Sequence, residues 1–323
     1  MTQTVTHKLS ELKTIGICGI GQMGAAAAVC FERAGYNVLL WGRDEGKLAA
    51  VTEKLNGLHA WLDKQGSAGV AAERARGTLT TTSDIARLDN EADVIVDCVV
   101  EVLETKIELL NRFDAARKRQ ALFLTMTSGL PITQIGRGAD LEGLLVGAHF
   151  WNPPHLMPLV EVIRGDNTPG HLFELTCELI EDVGKLPVKV EKDVPGFIGN
   201  RLQHAMWREA IRLVQDGVAT SADVDRVVRL TFALRLPAIG PLENADLVGL
   251  DLVKSIEDYL LADLADDKTS PARLSELVDG GNLGVKTGTG FYDWSKRDAD
   301  ELTERRDRQI VEQLKTLRNL NAM

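Results

Sequence analysis

The run TIGICGIGQMG, residues 14–24, constrains this chain more than any other stretch. A short, largely apolar run, TIGIC at 14–18, reads as a strand and stops at glycine. Gly19-Ile20-Gly21-Gln22-Met23-Gly24 then follows the spacing G-x-G-x-x-G and opens a segment with helical periodicity, residues 22–35. Each glycine has a distinct reason. Gly19 permits the tight turn, Gly21 lets backbone approach a pyrophosphate, and Gly24 allows the helix to pack closely on the sheet. The helix N-terminus then faces the phosphates with free N–H groups and a positive dipole end. A strand before the glycines and a helix after them give this otherwise weak motif its meaning.

Further strand candidates follow at 37–41, 78–83, 93–99, 121–127 and 144–150, then at 159–165 and 187–193 around a helix at 170–183. Continuous apolar strands alternating with helices imply a mostly parallel sheet covered on both faces. After VPGFIGNR (194–201) strands almost vanish, and residues 197–216, 221–233, 243–265 and 298–318 read as helices. The expectation is an α/β chain: a mobile leader over 1–13, a doubly wound Rossmann-type domain over 14–193, and an all-helical domain over 194–323.

The remaining function classes narrow by exclusion. A net charge of −10 argues against nucleic acid, whose binding needs basic stripes. No apolar run is long enough to span a bilayer, and the first residues lack the apolar core of a secretory signal. Cys18, Cys30, Cys98 and Cys177 form no C-x-x-C pair, and the six histidines have no metal-ligand spacing. Reduced thiols suit a cytoplasmic protein with no metal site.

Cofactor choice rests on the end of the second strand. An acidic residue there would bond the ribose 2′-hydroxyl of NAD. The chain reads Leu40-Trp41-Gly42-Arg43-Asp44, with glycine where the acid belongs and a guanidinium beside it. That pairing suits a 2′-phosphate, so the reading within NAD(P) leans to NADP. Asp44 weakens it, because a small shift would bring its carboxylate to the ribose.

HFWNPPHLMPLVE (149–161) places His149 at a strand end and Glu161 on the following strand, beyond the Pro153-Pro154 turn. A histidine base with a carboxylate on its other nitrogen would take a hydroxyl proton as hydride leaves the carbon. Spacing alone lets the two meet and no more. A histidine at a strand end is more often packed or hydrogen-bonded than catalytic.

Taken in order, GICGIGQMG, ADVIVDCVVEVLETK (92–106), TMTSGLPIT (125–133), HFWNPPHLMPLVEVI (149–163), KDVPGFIGNR (192–201), GPLENADLVGLD (240–251) and KTGTGFYDW (286–294) resemble the 3-hydroxyacyl-CoA dehydrogenase family. The resemblance runs from Thr14 to about Trp294. It implies His149 as catalytic base, Glu161 as its partner, and Ser128 and Asn200 at the reacting oxygen. On the cofactor side it implies Glu101, Lys106, Asn152 and Lys286 beside Gly19, Gly21, Met23, Gly24 and Arg43. It also implies a homodimer.

Two departures matter. Met126-Thr127-Ser128-Gly129 stands where the family usually has Asn-Thr-Ser-Ser. Asn152-Pro153-Pro154-His155 stands in place of Asn-Pro-Val-Pro and resembles a branch acting on free hydroxy acids, such as gulonate, carnitine and pyridine-carboxylate dehydrogenases. Charge agrees weakly: between 47 and 76, Lys47, Lys54, Lys64, Arg74 and Arg76 face Glu53, Asp63 and Glu73, a mild basic surplus for meeting CoA phosphates. Arg201, Arg208, Arg235 and His155 are the candidates for a substrate acid group. The expected activity is alcohol–carbonyl interconversion on a small hydroxy acid or related alcohol. L-3-hydroxyacyl-CoA dehydrogenation is the alternative, and a non-catalytic cofactor-binding protein the third reading.

Overall fold

The computed structural model describes residues 8–65 and 75–320, and the chain divides into two compact units, Met1–Arg201 and Leu202–Met323. In the first, β1 (Thr14–Cys18), β2 (Asn37–Trp41), β3 (Leu79–Thr82), β4 (Val94–Asp97), β5 (Leu122–Thr125), β6 (Leu145–Phe150), β7 (Leu159–Ile163) and β8 (Leu186–Val190) form one sheet. Its order is β3-β2-β1-β4-β5-β6-β7-β8, parallel through β6. Strand β7 then runs antiparallel to β6, and β8 parallel to β7. This is the expected doubly wound sheet with a two-strand extension at one edge.

Helices α1 (Gln22–Arg33), α2 (Glu45–Gln65), α3 (Ile85–Glu91), α4 (Leu103–Leu110), α5 (Asp114–Lys118), α6 (Ile132–Gly138) and α7 (Gly170–Asp182) connect the strands. Helix α1 is buried from Gly24 through Glu32. Its alanines explain why so covered a helix fits: small side chains let it lie close to the sheet. Two apolar clusters make the core. One includes Ile15, Ile17, Phe31, Val96 and Phe150, and the other Leu88, Ile95, Phe113, Phe123 and Phe197. The sequence pattern does not announce helices α3 to α6, because so few residues give too few turns for a clear period.

The leader expected over 1–13 differs in its described part. Residues Leu9–Glu11 form a turn of 3-10 helix, Leu12 is buried, and the Lys13 N–H donates to Asp93 at 2.8 Å. Residues 1–7 lie outside the described residues.

Helix α8 (Gly199–Gln215) carries the chain onward to α9 (Ser221–Leu230), α10 (Phe232–Arg235), α11 (Pro241–Val248), α12 (Leu250–Leu260), α13 (Ala272–Asp279) and α14 (Ala299–Asn319). The single helix expected at 243–265 is broken at Gly249, whose φ of 105° is foreign to a right-handed helix. The helix expected at 221–233 breaks at Thr231 (φ −120°, ψ −107°). The first compact unit runs through Arg201, because the first turn of α8 binds back onto the sheet, as described below. No helix among the described residues is long and apolar enough to cross a membrane.

Candidate active site

Antiparallel pairing of β6 with β7 sets His149 directly opposite Glu161. Cross-strand neighbours on one face meet through their side chains, and here His149 Nδ1 lies 2.7 Å from Glu161 Oε2. Both are buried, at 4% and 2% exposure. The other carboxylate oxygen, Oε1, accepts the backbone N–H groups of Ile198 at 2.9 Å and Gly199 at 3.0 Å, at the start of α8. Burial opposes ionisation of Glu161. The hydrogen bonds from His149, Gly199 and Ile198 outweigh it and hold the carboxyl below its ordinary range. An ionised Glu161 can only accept, so the proton of a neutral His149 sits on Nδ1 and the lone pair on Nε2.

A second carboxylate organises the turn after β5. Glu101 Oε1 accepts from the Thr127 hydroxyl, from Ser128 N–H at 2.6 Å and from Gly129 N–H at 3.2 Å. Burial again opposes its charge, and the Thr127 hydrogen bond, the nearby Lys106 and the Ser128 N–H more than offset this, so Glu101 also lies below the usual carboxylate range. Lys106 is not a surface partner of Glu101. It is 1% exposed, with Nζ 3.0 Å from Asp97 Oδ2, 3.4 Å from the Val99 carbonyl and 3.4 Å from Glu101 Oε2. These contacts tie the β4–α4 connection to Glu101, the other residue expected on the cofactor side.

Asn200 donates to the carbonyl oxygen of Ser128 at 2.5 Å, which joins α8 to the β5 turn. Neither the Ser128 hydroxyl nor Arg43 has a partner among the described residues. Asn152 accepts from Gln22 at 3.1 Å, which places it beside the first turn of α1. Lys286 is exposed and lies in the second unit.

The glycine loop fits a dinucleotide. Gly19 has φ 125°, and a Cβ there would come within 2.7 Å of the Cys98 carbonyl oxygen; one on Gly24 would run into the Gly19 carbonyl. Gly21, by contrast, faces open space at the N-terminus of α1. A Cβ would fill the cradle that a pyrophosphate needs. Met23 packs inward against the core. Gly42 has its own steric reason: a Cβ there would lie 2.9 Å from Ile20, so a carboxylate is kept out of this position by packing. Asp44 caps α2, accepting the Lys47 N–H at 3.2 Å.

The candidates for a substrate acid group divide between the units, His155 and Arg201 in the first and Arg208 and Arg235 in the second. His155 packs edge-on against Trp61 of α2, with ring centres 5.7 Å apart. Arg201 donates to the Pro195 carbonyl and Arg208 to that of Asp267, each at 3.4 Å, while Arg235 is exposed in the second unit. Glu209 and Glu243 accept the N–H groups of Ala265 and Gly240. Glu73 and Arg74 lie outside the described residues. Sequence reading misses Asp97, Thr127 and Gln22. Asp97 leaves a signal: a carboxylate inside an apolar strand needs a buried partner, and Lys106 on an apolar helix face needs one too. No group of three or more metal-ligating side chains occurs among the described residues.

Residues 14–194 match the 3-hydroxyacyl-CoA dehydrogenase NAD binding domain, and residues 196–294 the C-terminal domain of the same family. The chain is 32% identical over 304 residues to 5-formyl-3-hydroxy-2-methylpyridine 4-carboxylate 5-dehydrogenase of Mesorhizobium japonicum, covering 93% of this chain and 96% of that protein. It is 35% identical over 287 residues to a 3-hydroxybutyryl-CoA dehydrogenase of Bradyrhizobium diazoefficiens, covering 88% and 96%. A crystal structure of a 5-formyl-3-hydroxy-2-methylpyridine 4-carboxylic acid 5-dehydrogenase, described as an NAD+ dependent dismutase, superposes with a TM-score of 0.87 at 31% identity, covering 93% of this chain and 97% of that one. The glycine cradle, the doubly wound sheet and the two consecutive domain matches agree, and the chain belongs to the 3-hydroxyacyl-CoA dehydrogenase family of NAD-dependent dehydrogenases.

Proposed function

We propose that the protein interconverts an alcohol and a carbonyl on a small free hydroxy acid or related alcohol, with His149 as the catalytic base. The observation that carries the reading is the 2.7 Å contact between His149 Nδ1 and Glu161. It leaves Nε2 to take the hydroxyl proton and Glu161 to stabilise the imidazolium that results. The bound nicotinamide supplies the hydride acceptor, or the donor in the reverse direction. Ser128 offers a free hydroxyl to the substrate oxygen, and Asn200 fixes the turn that carries it. Glu101, Asn152, Met23 and the glycine loop form the cofactor side, and Lys106 supports Glu101 from beneath. Lys286, in the second unit, is the remaining residue that the family resemblance assigns to the cofactor.

The substrate class is supported by the Asn-Pro-Pro-His segment and by the relative whose name specifies a pyridine carboxylate. The second reading, a 3-hydroxyacyl-CoA substrate, draws on relatives of similar identity. Against it, Lys47 of α2 is already paired with Asp44 at 3.6 Å, and Arg76 with Asp63. For the nucleotide, Arg43 is the group that would meet a 2′-phosphate, whereas the solved relative is described as NAD+ dependent. A homodimer is supported by the second unit, where α12 alone leaves Leu250, Leu252, Tyr259 and Leu260 exposed. Four unbridged cysteines suit a cytoplasmic setting.

Absorbance at 340 nm tests the activity, substrate class and nucleotide, with NAD and NADP each set against 3-hydroxybutyryl-CoA, aliphatic hydroxy acids and hydroxymethyl pyridine carboxylates. Turnover of a free acid and not the thioester is expected. Turnover of the thioester alone overturns the substrate class. A kcat/KM ratio favouring NAD by more than about tenfold overturns the reading of Arg43. Cofactor binding with no turnover of any substrate restores the non-catalytic reading.

A further inference from the structure

Two aromatic rings flank the His149 imidazole. Phe197 lies 5.8 Å away, centre to centre, at an interplanar angle of 55°, and is 1% exposed. Trp151 lies closer, at 5.1 Å and 54°, and is only half-buried. Phe197 is therefore a covered back wall. Trp151 is the ring that still has surface to offer.

The indole is seated on Gly199. A Cβ on that residue would collide with Trp151 Cζ2 and come 2.9 Å from Cη2. Gly199 does not have a positive φ, so space rather than backbone conformation calls for glycine here. Its N–H is held by Glu161, the carboxylate that also orients His149. The seat of the indole and the aim of the base are thus fixed by one group.

A substrate hydroxyl that donates to His149 Nε2 brings its oxygen within about 3 Å of the imidazole edge. A small substrate that extends from there toward Trp151 meets a ring centred 5.1 Å from the imidazole. An indole face is broad, flat and rigid, and favours stacked or edge-on aromatic partners beyond simple area burial. It discriminates little among flexible aliphatic chains. We propose that Trp151, seated on Gly199, is a specificity-determining residue that selects a planar, conjugated-ring acid by packing against its ring while the reacting carbon is held at His149. This rests on the free-acid reading above.

The test separates KM from kcat on two substrates, a hydroxymethyl pyridine carboxylate and 3-hydroxybutyrate. Trp151→Leu is expected to raise KM for the ring acid about tenfold, with kcat within about threefold and the aliphatic acid unaffected. Trp151→Phe should recover most of the loss. Gly199→Ala, which displaces the indole, should resemble Trp151→Leu; if it does not fold, the two Trp151 variants decide. Equal losses on both substrates, or a fall in kcat at unchanged KM, overturn the proposal. Calorimetric binding of pyridine-3-carboxylate to the enzyme with oxidised cofactor gives a readout without turnover. Weaker binding in Trp151→Leu supports the ring contact even if no free acid is turned over, in which case the free-acid reading alone falls. Unchanged binding overturns the ring contact alone.

Discussion

The first unit wraps eight strands with helices and buries long apolar runs such as Val94 to Val96 and Leu122 to Leu124 completely. In the second, the described apolar residues that reach burial are Ala265, Leu277, Val311 and Leu314. Large side chains on α9, α11 and α12, among them Val227, Leu230, Leu242, Leu247, Leu252 and Tyr259, stay exposed. The α12 residues Leu252, Ile256, Tyr259 and Leu260 recur at the spacing of one helix face. Apolar faces of this extent mark interaction surfaces. The contrast separates two kinds of stability: a sheet whose core is closed within its own unit, and helices whose own unit leaves their apolar sides uncovered.

Four variants sharpen or break that contrast. His149→Asn should lower kcat/KM by about a thousandfold while nucleotide binding and oligomeric state stay unchanged; a changed oligomeric state in ultracentrifugation would mean that the site and the assembly are not separable. Leu252→Asp combined with Ile256→Asp should weaken self-association by at least about a hundredfold and lower Tm, because two charges enter an apolar face. An unaltered sedimentation profile would break the comparison outright.

Glu161→Gln should reduce kcat by about ten- to a hundredfold, since an amide cannot stabilise the imidazolium. It should also change the acid limb of stability. A carboxyl depressed in the folded state stabilises fully above its unfolded pKa of roughly 4.3 and loses that contribution as pH falls through the folded value. Tm measured against pH should therefore fall less steeply below pH ~4 in the variant than in the parent. The smallest effect is expected for Arg43→Ala, a several-fold drop in the NADP to NAD ratio of kcat/KM with no change in Tm.

How much of the molecule is legible in its sequence depends on how far each contact reaches. The glycine loop is local, and its strand–glycine–helix order carries the fold of the first unit. His149 and Glu161 are legible because a turn and strand pairing bring them together over twelve residues. Asp97, the buried partner of Lys106, is missed because it sits inside an apolar strand and meets the lysine through a turn that no motif announces. The Gly249 break is invisible because glycine inside an apolar helical pattern is tolerated as often as it stops one. Trp151 and Gly199 lie far apart along the chain, and no periodicity links them.

Glu161 has a divided duty. One oxygen steers the imidazole, and the other is tethered to the backbone where α8 begins. That helix carries the chain from the first unit into the second. The aim of His149 is therefore set by where a helix starts. Adding or deleting a single residue between Val194 and Ile198 would misdirect the proposed base while leaving the nucleotide cradle whole: a protein that still holds its cofactor and has lost its sense of direction.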